Sequence, residues 1–371
     1  MRISAIEPIA VSLPMKKPVK MAGETIARAD NVLVRVESDT GIVGWGEAAS
    51  APTMTGETVA SMLAAVRHLA PGLLEHAAGD FVGIAAAMDA LMYGNSGAKA
   101  AIEMALHDLV GRATGRPVHA LLGDKKRGRV PLLAVIGGGD AGADVREALE
   151  QKAAGYVIFK VKVGIATPEA DAMRTCMVCE ALGAGCLVSA DANQGFTVDE
   201  ALRYARAVAG SGLGFIEQPI AAHDLAGMAQ VAASSSVPLG ADEGIHSRAD
   251  IERHHAVKAA QGVSLKAIKL GGLRALLGAA QRCAELGMRI NISCKTGESS
   301  LASAAALHVA AVVPELAWGL TVTHSGLAED VASVPLGIEH GQAAVLDGPG
   351  LGVEVDEPRL RRWEAAARRV A

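Results

Sequence analysis

From about Val130 onward the sequence repeats one pattern, in which a short β-rich run is followed by an alanine-rich run of helical periodicity. This alternation is typical of repeated βα units around a parallel sheet. The predicted strands lie at residues 131–135, 156–163, 185–191, 214–218, 237–242, 263–269, 288–293 and 317–320. Eight βα units in roughly 200 residues match the size of a TIM barrel, an α/β fold.

The alternative architecture is an open, doubly wound sheet. No predicted strand leads into a Gly-x-Gly-x-x-Gly fingerprint, which argues against a dinucleotide-binding version of that sheet but not against every open sheet. We therefore favour the barrel.

The first 125 residues have a different pattern. Alternating runs at residues 3–13, 32–37 and 43–47 predict a small antiparallel sheet, and the runs at 57–70, 83–93 and 98–114 predict helices. A chain of 371 residues, half of them hydrophobic, is long enough for one main domain and a smaller one. We expect an N-terminal α+β domain beside the barrel.

Charged residues stand at the ends of five consecutive predicted strands: Lys162, Asp191, Glu217, Asp242 and Lys266. The intervals between them are 29, 26, 25 and 24 residues, which is about one βα unit each. Active-site groups in TIM barrels project from the carboxyl ends of the strands. The regular spacing therefore predicts that all five side chains meet at one mouth of the barrel.

The three carboxylates predict a metal site. Asp191, Glu217 and Asp242 would repel one another without a cation, and carboxylate oxygens suit a hard ion. Magnesium is the expected ion because it prefers oxygen ligands and leaves positions open for substrate. The alternative is three separately solvated acids.

The lysines predict proton transfer. Lys160 and Lys162 alternate with Val161, so both side chains should point toward the barrel axis. A neighbouring cation favours the neutral amine, which would make Lys162 a general base and leave Lys160 as a charged helper. Lys266 lies four strands away and should approach a central substrate from the opposite side. Lys269 is expected on the other side of its strand and is the weaker candidate.

Composition excludes other classes of function. The net charge is −5 and 10 residues are aromatic, which does not favour nucleic-acid binding. The longest apolar run, residues 301–313, is too short to cross a membrane. We predict a cytoplasmic protein with no nucleic-acid or membrane partner. The Cys176-x-x-Cys179 pair is interpreted as core packing on a helix rather than zinc or redox chemistry.

Several motifs resemble the enolase superfamily, and within it the muconate-lactonizing subgroup of the mandelate racemase/muconate lactonizing enzyme family. They are Lys160-Val161-Lys162, Asp191-Ala192-Asn193-Gln194-Gly195, Ile216-Glu217-Gln218-Pro219, Ala241-Asp242-Glu243 and Lys266-Ala267-Ile268-Lys269-Leu270-Gly271-Gly272. Gly44-Trp45-Gly46-Glu47 and Pro349-Gly350-Leu351-Gly352 extend the resemblance to nearly the whole chain.

The resemblance implies a modified TIM barrel at residues 126–340 with an α+β capping domain at 1–125, which a C-terminal segment at 341–371 completes. It implies Asp191, Glu217 and Asp242 as ligands of Mg²⁺, or Mn²⁺ in its place, and Lys162 and Lys266 as acid and base. It further implies a homo-oligomer, a dimer or an octamer, and two cap loops over the substrate near residues 15–28 and 48–55.

The sequence also departs from the family pattern. Related enzymes usually carry Glu at the end of the seventh strand, whereas Lys295 stands here with Glu298 three residues later. We predict substrate contacts from Lys295, Glu298, Asn193 and Lys20. The Asp-x-Asp signature of many dipeptide epimerases is missing from residues 319–324, which disfavours that activity.

The leading hypothesis is a magnesium-dependent isomerase of the cycloisomerase or racemase type, similar to muconate cycloisomerases, that abstracts the α-proton of a small carboxylate substrate. Racemases or epimerases of N-acylated amino acids or dipeptides are close alternatives, and a dehydratase could use the same scaffold. More distant alternatives are a Schiff-base lyase with a nucleophilic lysine and a barrel that binds a metal or metabolite without catalysis.

Overall fold

The computed structural model describes residues 1–21, 24–137 and 140–367. The chain begins with a cap, whose elements are β1 (Ile3–Met21), β2 (Glu24–Ser38), β3 (Val43–Ala49), α1 (Val59–Leu73), α2 (Phe81–Leu91), α3 (Ser96–Thr114) and α4 (Val118–Leu122). The barrel follows with β4 (Arg129–Pro131), β5 (Leu133–Ile136), α5 (Ala141–Ala153), β6 (Ile158–Lys162), α6 (Pro168–Leu182), β7 (Leu187–Asp191), α7 (Val198–Ala207), β8 (Phe215–Glu217), α8 (Leu225–Ser234), β9 (Leu239–Ala241), α9 (Arg248–Ala256), β10 (Gly262–Leu265), α10 (Ala267–Leu270), α11 (Leu273–Glu285), β11 (Arg289–Ser293), α12 (Ser300–Val312) and β12 (Leu320–Thr321). The last elements are β13 (Gln342–Ala344) and α13 (Glu357–Ala367).

The cap sheet is antiparallel in the order β1-β2-β3, as predicted. Its first hairpin is longer than the sequence pattern suggested, because pairing continues to Val19 and Ile26 beyond an irregularity that follows Pro14. The alternation of apolar and polar residues ends near Pro14 and Lys16, so periodicity could not reveal this extension. Residues 15–21 and 24–28 of the first predicted cap loop therefore belong to β1 and β2, and residues 22–23 lie outside the described part of the chain.

Two glycines bring the cap sheet close to α3. Gly44 and Gly46 lie two residues apart on β3 and so face the same side of the strand. A Cβ atom at Gly46 would lie 2.0 Å from the carbonyl oxygen of Ala101, and one at Gly44 would lie 2.2 Å from that of Ala105. Only glycine permits this distance between the β3 and α3 backbones.

The barrel prediction is confirmed. Strands β5 to β12 form one parallel sheet in sequential order, and a parallel bridge between Leu132 and Leu320 brings its two edges together. Helices α5 to α12 connect the strands, and α12 is buried along its whole length. A single 3-10 turn at His324–Gly326 follows β12, where a regular TIM barrel has an eighth helix.

One predicted strand ends early. The pattern at residues 263–269 suggested seven strand residues, but β10 stops at Leu265 and a helical turn, α10, begins at Ala267. Gly271 ends this turn in the left-handed conformation with φ of 89°.

The C-terminal segment returns to the beginning of the chain. Strand β13 pairs with β4, and α13 packs on β1 with Leu360 fully buried. The boundaries near residues 125 and 340 stay predictions. No helix in the described part of the chain is long and apolar enough to cross a bilayer, and the cytoplasmic location also stays a prediction.

Candidate active site

Strand register brings the predicted residues together at one end of the barrel. Lys162 of β6 is paired with Asp191 of β7, and Asp191 is paired with Glu217 of β8. Asp242 and Lys266 directly follow β9 and β10. All five residues are buried. The constant spacing in the sequence therefore corresponds to one ring of strand ends.

A cavity of about 630 Å³ opens at this ring. Its wall includes Lys160, Lys162, Asp191, Asp242 and Lys266 from the barrel. The cap also contributes, and the cap residues in the wall are Met15, Lys16, Lys17, Pro18, Val19, Thr53 and Met54. Both cap segments that the family resemblance suggested as substrate covers thus line the cavity.

The lysines of β6 each contact a carboxylate. Lys162 Nζ lies 2.7 Å from Asp191 Oδ2 and 2.7 Å from Asn193 Oδ1. Lys160 Nζ lies 2.8 Å from each carboxylate oxygen of Glu217 and donates its hydrogen bond to Oε1. The expected orientation of both lysines toward the barrel axis agrees with these contacts.

Asp242 accepts from two lysines, and one of them was misplaced by the sequence analysis. Lys266 Nζ donates to Asp242 Oδ2, and Lys269 Nζ lies 2.6 Å from Oδ1. The expectation that Lys269 faces away from the site is wrong. Residues three apart share a face of a helix but not of a strand, and α10 is helical. The Gly271-Gly272 pair was the sequence signal for a helix end.

These contacts shift the protonation equilibria. Burial opposes ionisation of Asp191 and Asp242, but the nearby lysines outweigh burial and lower the pKa of both carboxyls. Burial also opposes the charged form of Lys160, yet Glu217 and Asp191 outweigh it and raise the pKa of Lys160. Lys160 is therefore an ammonium at neutral pH.

Glu217 is the one predicted metal ligand of the three whose pKa is raised. Burial raises the pKa of Glu217, and repulsion from Asp191 and Asp242 raises it further. The attraction of Lys160 lowers this pKa but does not offset the other two effects. Among the described residues, Glu217 Oε2 accepts no hydrogen bond.

Two further residues were missed by the sequence analysis. Glu243 follows Asp242, lines the cavity and accepts from Asn193 Nδ2 at 3.1 Å. Burial and the charge of Asp242 raise the pKa of Glu243 to about 7. Gln218 is fully buried, and its Oε1 accepts from the backbone of Asp242 at 2.9 Å. Each stands beside a predicted ligand in the sequence, which was the available signal.

The donor set suits a hard cation, although it is not arranged around one. Within the described residues, no group of three or more His, Cys, Asp or Glu side chains forms a metal-binding cluster, and the carboxylates instead contact lysines. Asp191, Glu217 and Asp242 still offer oxygens from three adjacent strand ends, and all three residues are buried. Hard oxygen ligands of this kind fit magnesium.

The predicted substrate contacts fall in different places. Lys295 and Asn193 line the cavity. Glu298 is 5% exposed and is absent from the described wall, and its Oε2 accepts from the backbone N–H of Lys295 at 2.9 Å. The backbone of Lys20 belongs to β1, and its side chain lies outside the described residues.

The fold is a parallel barrel under an α+β cap, with lysines and carboxylates at the strand ends. This combination defines a class of two-domain barrel enzymes. Sequence comparison identifies the family within this class. Residues 5–123 match the family described as "Mandelate racemase / muconate lactonizing enzyme, N-terminal domain", and residues 143–359 match "Enolase C-terminal domain-like". The chain therefore belongs to the mandelate racemase/muconate lactonizing enzyme family of the enolase superfamily.

Its relatives are isomerases. The chain is 31% identical to an N-succinyl-L-Arg/Lys racemase of Bacillus cereus, over 97% of both chains. It is 32% identical to a chloromuconate cycloisomerase of Cupriavidus pinatubonensis, over 96% of this chain and 97% of that one. The crystal structure of muconate lactonizing enzyme from Pseudomonas fluorescens, complexed with muconolactone, matches with a TM-score of 0.92 and 31% identity, over 97% of this chain and 98% of that chain. This protein is an enzyme of the isomerase class.

Proposed function

We propose that the enzyme isomerises a small carboxylate substrate with the help of Mg²⁺, by transferring a proton to or from the carbon next to the carboxylate. The observation that carries this proposal is the position of two lysines. Lys162 and Lys266 follow strands four apart in an eight-stranded barrel, and both line the cavity. A substrate between them would have one amine on each face.

The metal would be held by Asp191, Glu217 and Asp242. When bound, Mg²⁺ would supply positive charge to the substrate carboxylate and so stabilise the negative charge that develops on proton removal. The burial of Glu217 supports this assignment, as does the raised pKa of its carboxyl, which a cation would lower.

The lysines divide the proton chemistry. In one direction, Lys162 Nζ takes the proton from one face of the substrate and Lys266 Nζ delivers a proton to the other face. In the reverse direction the two lysines exchange these roles. Asn193 fixes Lys162 through its Oδ1 atom at 2.7 Å. Lys160, which Glu217 and Asp191 keep charged, contributes a fixed ammonium near the developing negative charge.

Two reactions on this scaffold are supported by the relatives. Cycloisomerisation of a muconate-like diacid is the leading form, because chloromuconate cycloisomerases align over nearly the whole chain. In that reaction one carboxylate oxygen adds to the diene, and a lysine delivers a proton to the carbon next to the other carboxylate. Racemisation of an N-acylated amino acid is the second form, because the N-succinyl-L-Arg/Lys racemase aligns equally well. Dipeptide epimerisation and β-elimination share the same first step.

The deciding experiment is an activity screen in deuterated water with muconate, N-acyl amino acid, dipeptide and acid-sugar libraries in the presence of Mg²⁺. Deuterium at an otherwise unchanged stereocentre indicates racemisation, and loss of the diene absorbance indicates lactone formation. We expect Lys162→Ala and Lys266→Ala to lower kcat by at least about 100-fold, as for loss of a general acid or base. Lys152→Ala, on the exposed side of α5, is the matched control.

Full activity of both site variants on the best substrate would refute the proposed mechanism. A Schiff-base lyase is tested in the same series. Such an enzyme would be trapped by borohydride with a keto acid and would keep its activity in EDTA, whereas the proposed enzyme loses activity in EDTA and regains it with Mg²⁺.

A further inference from the structure

The turn between β11 and α12, residues 294–298, carries Lys295 into the cavity wall. Two hydrogen bonds connect Lys295 and Glu298 within this turn. The N–H of Lys295 donates to Glu298 Oε2 at 2.9 Å, and the N–H of Glu298 donates to the Lys295 carbonyl at 3.0 Å. Thr323, after β12, donates its hydroxyl to the same carbonyl at 2.8 Å. The barrel thus holds this turn from one side.

The cap holds the turn from the other side. Asn31 of β2 donates from Nδ2 to the carbonyl of Gly297 at 2.9 Å and to Glu47 Oε1 at 2.7 Å. Ala29 packs against the turn, since a Cβ atom at Gly297, where φ is +94°, would lie 2.7 Å from the Cβ of Ala29. The barrel turn therefore sits directly on a cap strand.

Glu47, from β3 of the cap, extends this contact into α12. Its carboxylate is fully buried and accepts from the Ser299 backbone N–H at 3.1 Å, from the Ser299 hydroxyl at 2.6 Å and from the Ala302 N–H at 3.2 Å. These donors are free backbone groups at the start of the helix, where a carboxylate is favourable. A cap side chain thus fixes the first turn of the barrel helix that follows Lys295.

The charges around the cavity indicate what Lys295 would meet. Four site lysines, at positions 160, 162, 266 and 269, stand among four carboxylates, at 191, 217, 242 and 243. Lys295, Lys16 and Lys17 add positive charge to the wall, and Glu147 adds one negative charge. Lys16 donates to the carbonyl of Ser325, two residues after Thr323. This part of the wall suits an anionic group of the substrate.

We propose that Glu47 is a positioning residue, which fixes the 294–298 turn from the cap so that Lys295 binds a second carboxylate of the substrate, remote from the reacting carbon. The proposal rests on the proposed function, because it assumes that one carboxylate is already held at the metal. It assigns to a buried cap residue a role in substrate selection.

The test uses two matched probes, adipate and hexanoate, which have the same length and differ by one carboxylate. Their dissociation constants are measured by calorimetry with the full-length enzyme and Mg²⁺. We expect the wild type to bind adipate about tenfold more tightly, the gain of roughly one charged hydrogen bond. Lys295→Met and Glu47→Gln should each remove this preference and leave hexanoate binding unchanged.

Glu57→Gln is the matched control. Glu57 is also a buried cap glutamate at a helix start, and it accepts from Gly97 at 2.7 Å and Ala98 at 3.1 Å, but within the cap. This variant should keep the adipate preference. The double variant of Glu47→Gln with Lys295→Met should lose no more than either single variant, because both changes act on one contact.

The proposal is overturned if the wild type shows no preference for adipate, if Glu47→Gln keeps it, or if Glu57→Gln loses it as well. Should Glu47→Gln fail to fold, Asn31→Ala replaces it, with the same expectation. Failure of the proposed function is seen separately, as isomerase activity that persists without Lys162 and Lys266.

Discussion

The ammonium groups of Lys160, Lys162 and Lys266 each lie within hydrogen-bonding distance of a carboxylate that is at most 2% exposed. Removing one member of a buried ion pair leaves a charge without compensation and costs about 3–5 kcal/mol. Each lysine variant must therefore be checked for folding before its activity is interpreted.

Spacing in the sequence was enough to predict these residues, because a strand end recurs once per βα unit. It was not enough for Lys269. Whether the Lys269 side chain contacts Asp242 depends on the residue at which β10 ends. A strand ends where its neighbouring strands no longer pair with it, and a single sequence does not show that position. The substrate contact predicted for Glu298 stays a prediction, and the direction of this side chain depends on its hydrogen bond with the backbone of Lys295, which spacing does not reveal.

Glu298 also gives a prediction about pH and stability. Burial raises the pKa of Glu298 to about 8, with Glu47 adding repulsion, whereas an exposed glutamate titrates near 4.5. The folded state therefore keeps a proton that the unfolded state has lost between these values. This contribution to stability is fully present below about pH 4.5 and is lost as the pH rises to about 8.

Glu298→Gln should remove that part of the pH dependence, because Gln keeps an acceptor for the Lys295 N–H and does not ionise. From pH 5 to pH 9 the variant should gain on the order of 3 kcal/mol relative to the wild type. Urea unfolding at both pH values measures it. Glu180→Gln, exposed on α6, should follow the wild-type profile, and a Glu298→Gln profile parallel to the wild type would contradict the prediction.

At the scale of elements, the contact between β3 and α3 depends on two glycines. Gly46→Ala would place a methyl group 2.0 Å from the Ala101 carbonyl oxygen, and a backbone atom cannot move away as a side chain can. We expect a loss of roughly 3 kcal/mol or more in unfolding free energy. Gly79→Ala is the control, because nothing lies within 4 Å of the added carbon. Its unfolding free energy and melting temperature should differ little from those of the wild type.

Most element types were predictable, α10 being an exception, and element lengths were not. The β-rich and alanine-rich runs gave every barrel strand, yet β8 and β9 have three residues each and β1 has nineteen. The short barrel strands end where the chain leaves the sheet to form the active-site loops. The β1–β2 hairpin continues because its two strands hydrogen-bond to each other. Both effects come from partners distant in sequence.

Across the whole molecule, cap carboxylates hold the starts of two barrel helices. Glu47 accepts from the first turn of α12, and Glu103 of α3 accepts from Leu273 and Arg274 of α11 at 2.8 and 3.2 Å. These helices follow the strand ends that bear Lys295 and Lys266. The cap therefore fixes part of the site from behind as well as covering the cavity.

Metal binding should stabilise the whole molecule. A ligand at about 100 times its dissociation constant adds about 2.7 kcal/mol to the folded state, so Mg²⁺ should raise the melting temperature by several degrees. Glu217→Gln should lose most of this rise, because it removes one proposed ligand. Glu180→Gln should keep it, and sodium chloride at equal ionic strength should not reproduce it. An equal rise in Glu217→Gln would exclude Glu217 as a ligand.

The packing of α13 on β1 has a consequence for synthesis on the ribosome. The two elements are about 335 residues apart, so Leu360, which is fully buried in the finished protein, is made long after β1. At roughly 5–20 residues per second, the surface of β1 that α13 will cover waits about 15–70 seconds for its partner. During that interval the nascent cap presents apolar surface to chaperones and to neighbouring chains.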